Sequence, residues 1–373
     1  MPLRIATFNV ENLLRRFPSE RDRRTGRWIP DSAVGLYEHT SEAEGRLIEK
    51  AFQVAVSDDQ RQLTAQAIRD CDADVLCLQE VDGLEVLRWF HDRYLRQALD
   101  EPYEHFALLE GNDRRGIDVA VMSRRGFPIR VMSNATLTYR DLGLYTDDLR
   151  RWGAEIDDRV FKRDALEVEV ETPGGPLTVW ICHFKSMGEG RDRTMGVRRA
   201  EAHAVRRLVE RRFGDRVETA DWMIVGDLND YRDKLRLERA GDGALHAHAM
   251  RAEATGLDPL HADRFAVDLV ERLPPGERWT HYYPEERELS ALDHLFVSPA
   301  LARVNPRVEP TVVRSGLPYR VPIERIRPAM PEIPRYPRVG FDRPKASDHC
   351  PVAVTLRLSR EAAAGVNSRE VTP

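Results

Sequence analysis

The stretch "DWMIVGDLND" (221–230) runs from an apolar segment, read as a buried strand, straight into a glycine followed by Asp227, Asn229 and Asp230. Glycine, Asp and Asn are ordinary turn residues, so a loop at a strand end would account for the run by itself. What weighs against that bland reading is how many other strands of this chain meet a polar, chemically capable residue at one end.

Strand-like runs recur at 4–10, 74–79, 118–123, 165–171, 177–184, 222–226, 294–298 and 351–358. Some alternate in polarity and others are continuously apolar, as central strands packed on both faces are. "TFNVEN" places Asn9 at the end of the first, and "CLQEVD" puts Glu80 just past the second. "WICHFKS" carries His183 and Lys185, "SALDHLFVS" has Asp293 before a strand, and "ASDHCPVAV" has Asp348 and His349 before another. In a sheet with antiparallel pairs, the end of one strand lies beside the start of its neighbour. These residues would then meet along one edge.

Between the strands lie helical patterns at 58–71, 84–99 and 193–213. In the last, Val197, Ala200, Ala204, Leu208 and Val209 form an apolar stripe with arginines opposite. The sequence predicts one domain over 1–358 with insertions near 15–57, 140–162 and 303–345, and a frayed tail at 359–373. The third insertion is rich in proline and arginine and is expected to track a surface.

Bulk composition sets limits. The 373 residues carry a net charge of −5, with 42% hydrophobic and 32% charged residues, which fits a globular chain with a core and not one held to nucleic acid by a global basic field. A local basic groove stays open. No apolar run approaches the roughly 20 residues needed to cross a bilayer. The start "MPLRIATFNV" enters a strand without a leader-like apolar region, and Cys71, Cys77, Cys182 and Cys350 lack zinc-site spacing. A cytoplasmic protein with buried free thiols, no membrane span and no obligate protein partner is the expectation.

An edge of carboxylates, amides and imidazoles without clustered cysteines suits Mg²⁺ or Mn²⁺ better than zinc, and such a site suits phosphoryl chemistry. The ordered set "TFNVEN", "LQE", "HFKS", "GDLND", "LDHLFVS" and "SDHCPV" resembles the endonuclease/exonuclease/phosphatase superfamily. Each motif alone is common; six in the family's order, from residue 7 to residue 352, are specific. The resemblance implies a four-layer α/β sandwich, two mostly antiparallel β-sheets flanked by helices, and divalent-metal-dependent phosphoester hydrolysis.

By the same resemblance Glu80 would be the principal metal ligand, supported by Asn9 and Asp348. Asp227 would align or deprotonate water, Asn229 would hold a phosphate oxygen, and His349, oriented by Asp293, would contact the scissile phosphate. His183 would serve as general acid. "GNDRRGIDVAVMSR" (111–124) resembles bacterial members; there Asp118 would orient His183 and Arg114 or Arg115 would hold phosphate, as would Lys185. The favoured substrate is nucleic acid. A phosphatase or phosphodiesterase for a small or lipid substrate, and a binding module without catalysis, are the alternatives.

Overall fold

The computed structural model describes residues 2–13, 20–21, 28–29, 41–241, 243–327 and 333–359. Two six-stranded sheets form its centre. In the first, the strand order is Thr311–Val312, Val352–Leu356, Leu3–Leu13, Val75–Val81, Asp118–Arg124, Tyr103–Leu108. In the second it is Val267–Asp268, Asp293–Val297, Trp222–Asp227, Leu177–His183, Ala165–Val170, Ile129–Met132. Each sheet is antiparallel except for one central parallel pair: Leu3–Leu13 with Val75–Val81, and Trp222–Asp227 with Leu177–His183.

Period-two alternation assigns the faces. Ile5, Val75, Cys77 and Val121 of the first sheet meet Val179, Ile181, Met223, Val225 and Leu295 of the second in one apolar layer. The intervening residues face helices. Ala6, Phe8, Leu76 and Leu78 pack against Leu63, Ala67 and Ile68 of the helix Glu42–Cys71. Trp180, Trp222 and Ile224 pack against Val197, Ala204 and Leu208 of the helix Arg191–Phe213. The result is the expected four layers, helix, sheet, sheet, helix.

Several boundaries differ from the sequence reading. The first helix is 30 residues long and begins at Glu42, with Ser41 capping through its side chain onto the Glu44 N–H, so it takes in residues 42–57 of the segment read as an insertion at 15–57. Much of the rest of that segment, and the tail beyond 359, lie outside the described residues. The 140–162 insertion is woven into the core: Leu142, Leu149, Val160 and Phe161 are buried on the second helical layer.

A third, five-stranded sheet is not anticipated by the sequence reading: His281–Tyr283, Glu288–Ser290, Asp233–Arg239, Leu245–Arg251 and Ile326–Arg327. "LHAHAM" (245–250) lies on one of its strands, with Leu245 buried and His246 and His248 opposite Glu238 and Arg236. Four cysteines, Cys71, Cys77, Cys182 and Cys350, are buried and free, as expected. Among the described residues no helix is long and apolar enough to cross a membrane.

Candidate active site

The inward-facing rows of the central strands all end in polar residues on the same edge. Ile5 is followed two and four places on by Thr7 and Asn9, and Val75 and Cys77 by Gln79. Val179 and Ile181 lead to His183, Met223 and Val225 to Asp227, and Leu295 is preceded by Asp293. Register pairs Asp227 with His183 on one side and with Asp293 on the other. Alternation thus brings three of the expected residues together without any special device.

The others need special backbone. Glu80 has φ 67° and lies where the register of Val75–Val81 shifts against both neighbouring strands. An irregularity of this kind re-aims a side chain that strict alternation would turn toward the helices. Glu80 then accepts the Asn12 N–H at 3.0 Å. Gly226, with φ 135°, passes so close to the neighbouring strand that a Cβ would sit 1.9 Å from the Cys182 carbonyl oxygen. No other residue fits there, which explains the glycine of "GDLND". Asn229 is left-handed at φ 51°, and its backbone N–H donates to Asp227 Oδ1 at 3.0 Å.

Asp227 is the hub. Besides the Asn229 N–H it accepts Asn9 Nδ2 on Oδ2 at 3.0 Å. His183 Nε2 and His349 Nε2 approach the same oxygen at 3.5 and 3.7 Å. His349 Nδ1 meets Asp293 Oδ2 at 2.8 Å, and Asp293 is fixed by the Thr280 hydroxyl, which accepts the Asp293 N–H at 3.2 Å. Ser347 holds the "SDH" turn: its hydroxyl donates to the Asn9 carbonyl at 2.7 Å and accepts the His349 N–H at 3.0 Å. His281 in the third sheet packs against His349 with ring centroids 4.9 Å apart and planes tilted by 46°.

Charge follows from these contacts. Burial pushes the Asp227 carboxyl up to about 7, with Asp293 adding to the push and His349 opposing it. Burial disfavours a charged His349, but the Asp293 and Asp227 carboxylates outweigh it and hold the imidazole well above its ordinary value. His183 is the opposite case: burial, with Arg163, His349 and Arg115 nearby, holds it well below, so it is neutral. Glu80 is raised by burial and then by the Asp348 carboxylate.

Two sets of donors face this edge. One ligand atom from each of Asp227, Asp293 and His349 lies within 4.8 Å of the others, a spacing able to hold an ion. His349 Nδ1 is, however, already engaged with Asp293, which reads as an oriented imidazole. The second set is all oxygen: Glu80, raised first by burial and then by the Asp348 carboxylate, and Glu11, whose Oε1 pairs with Lys345 Nζ at 2.9 Å while its Oε2 is buried without a hydrogen-bond partner among the described residues. An all-oxygen set with one orphaned buried carboxylate oxygen fits a hard divalent cation. Asn9, expected as a ligand, has Oδ1 accepting the Glu11 N–H at 3.0 Å and Nδ2 on Asp227.

The remaining expected residues are placed differently. Lys185 Nζ pairs with Glu189 Oε1 at 2.6 Å. Arg115 pairs with Asp113 and Arg114 is exposed. Asp118 accepts the Gly111 N–H at 2.8 Å, while His183 Nδ1 has no hydrogen-bond partner among the described residues, so Asp118 does not orient His183. Arg163, which no sequence motif singles out, is buried with its guanidinium on the Phe184 carbonyl at 3.0 Å and Asp113 at 2.9 Å.

Another buried imidazole lies beside Asp293 in the chain. His294 donates from both nitrogens, to Asp268 Oδ2 at 2.7 Å and to the Asp230 carbonyl at 2.9 Å, a pattern that only the protonated ring satisfies. Burial opposes the charge, but Asp268 outweighs it and raises His294 to about 9. A folded-state value above the unfolded ~6.5 stabilises fully below pH ~6.5 and is lost as pH rises through about 9. Thermal unfolding should therefore show a midpoint that falls across that window, and His294→Gln should flatten the fall. A profile unchanged by the substitution would contradict the assignment.

The sequence model of the endonuclease/exonuclease/phosphatase family matches residues 6–349. The chain belongs to this family. Similar solved structures include truncated TDP2 from Caenorhabditis elegans, 12% identical over 95% of this chain and 97% of that chain, TM-score 0.48. The human Nocturnin catalytic domain is 12% identical over 96% and 94%, TM-score 0.48. A family protein from Bacteroides thetaiotaomicron is 15% identical over 95% and 95%, TM-score 0.46. No curated protein sequence matches. The family's fold is that of phosphoester hydrolases, and the edge just described lies at the top of its two sheets.

Proposed function

We propose that this chain is a divalent-metal-dependent phosphodiesterase that cleaves nucleic acid by attack of water on phosphorus. The observation that carries the reading is the His349–Asp293 pair set against Asp227 on one sheet edge, with Glu80 and Asp348 beside it. Glu80 and Asp348, with Asn9 in support, would hold Mg²⁺ or Mn²⁺. When bound, the ion would neutralise a phosphate oxygen and the charge that develops on it.

The chain's own groups supply the proton chemistry. Asp227 has a proton affinity close to neutral pH, which suits a base that takes a proton from water, and the Asn9 and Asn229 hydrogen bonds fix its orientation. His349 presents its charged Nε2 to the scissile phosphate and gives its proton to the leaving oxygen. This replaces His183 in the acid role, because a histidine held neutral has no proton to spare; His183 instead donates a hydrogen bond to a phosphate oxygen. Asn229 gives one amide hydrogen to the Phe184 carbonyl at 3.1 Å, leaving the second for phosphate. Arg115 and Arg163 set positive charge beside Glu80 despite the negative net charge.

A substrate panel tests this: single- and double-stranded DNA, RNA, bis-p-nitrophenyl phosphate and inositol phosphates, each across a salt series. A polynucleotide should be cleaved, with apparent affinity falling steeply as salt rises, because several phosphates are neutralised at once. Cleavage of small phosphoesters alone, with shallow salt dependence, would assign the protein to the phosphatase side of the family.

A further inference from the structure

The helix Arg191–Phe213 buries charge inside its apolar stripe: Arg198 and Glu201, three residues apart, are each 0% exposed. Buried ions are costly unless paired, and well-packed apolar residues would cover a sheet as well or better. Their partners are specific. Glu201 accepts the Lys185 N–H on Oε2 at 2.8 Å and the Lys162 N–H on Oε1 at 3.1 Å. Arg198 donates to the Lys185 carbonyl at 3.3 Å and to Asp230 Oδ2 at 3.0 Å. Lys185 is thus gripped at both its backbone groups, and the same arginine reaches across to the end of "GDLND".

Asp230 is itself fully buried, with Arg191 on Oδ1 at 2.9 Å and the Gly256 N–H on Oδ2 at 2.9 Å. Between the gripped residues lie the contacts that join the two site loops. The Phe184 N–H donates to the Asp227 carbonyl at 3.0 Å, and the Phe184 carbonyl takes Asn229 Nδ2 at 3.1 Å.

We propose that Arg198 and Glu201 are positioning residues: from one helix they hold the loop after His183 in register with the loop after Asp227, and so set the spacing of the catalytic edge. The activity part of this inference rests on the phosphodiesterase reading; the register itself does not.

Glu201→Gln keeps the shape but has one carbonyl oxygen for two backbone N–H groups, and its amide hydrogens face the other. Amide hydrogen exchange should quicken at Lys185 and also at Asn229, whose N–H holds Asp227, while the remainder of the helix stays protected. Activity on bis-p-nitrophenyl phosphate should show kcat down by about 100-fold, the scale of an ångström-sized misplacement, with KM changed by no more than about twofold. Arg198→Lys reaches Asp230 but cannot also hold the Lys185 carbonyl, and should fall between Glu201→Gln and wild type in both readouts. Faster exchange confined to Lys185, with unchanged protection at Asn229, would overturn the inference, as would wild-type kcat in a folded Glu201→Gln protein. Should the wild type cleave no phosphoester, the functional reading fails while exchange at Asn229 still decides the brace.

Discussion

His349→Gln is expected to lower kcat on the order of 10³-fold, within the range that general acid catalysis contributes, while leaving a single cooperative thermal transition. Glutamine can still donate an amide hydrogen to Asp293 Oδ2, the partner His349 Nδ1 now meets at 2.8 Å. The buried Asp293 carboxylate therefore keeps a hydrogen bond and the turn at Ser347 keeps its backbone contacts. What is lost is a positive charge aimed at the open edge and a transferable proton. Both matter most when charge develops on the leaving oxygen, so the loss should appear in kcat more than in KM. Near-wild-type turnover in this variant would remove His349 from the chemistry.

Glu80→Gln should separate stability from activity. Without a metal, burial and then the Asp348 carboxylate disfavour a charged Glu80. Neutralising Glu80 is expected to leave the thermal midpoint unchanged or higher. Mg²⁺ should raise the wild-type midpoint, as a ligand that binds only the folded state does; in the variant that rise should shrink or vanish. Hydrolysis should fall on the order of 10³-fold, since several kcal/mol of charge stabilisation is at stake and each ~1.4 kcal/mol is tenfold. A Mg²⁺ response preserved in the variant would move the ion elsewhere, with the Asp227, Asp293 and His349 set as the next location to test.

Eight of the twelve strands in the two six-stranded sheets were legible as apolar or alternating runs, while Tyr103–Leu108, Ile129–Met132, Val267–Asp268 and Thr311–Val312 were not; alternation carried Asn9, His183, Asp227 and Asp293 to one face. Glu80 and His349 were found by motif; their aim depends on a left-handed backbone and on Ser347, which spacing does not reveal. The third sheet was missed because its strands are short or half exposed, with Leu235 and Leu237 alternating among charges that also suit a surface helix. Arg198 was assigned to the polar side of its helix, where arginines usually lie; its burial depends on Asp230, 32 residues away. The burial that holds His183 well below its ordinary value is not legible from residue type. Asp230, at the end of "GDLND", is fully buried with its carboxylate on Arg191 and Arg198.

The most direct test of the catalytic edge is the initial rate of phosphodiester cleavage by the purified protein, measured with Mg²⁺, after EDTA, and after Mg²⁺ is restored. Turnover that stops with EDTA, returns with Mg²⁺ and is absent from Glu80→Gln is the predicted result. Turnover indifferent to EDTA, or kept in full by Glu80→Gln, would contradict a metal-assisted site at this edge.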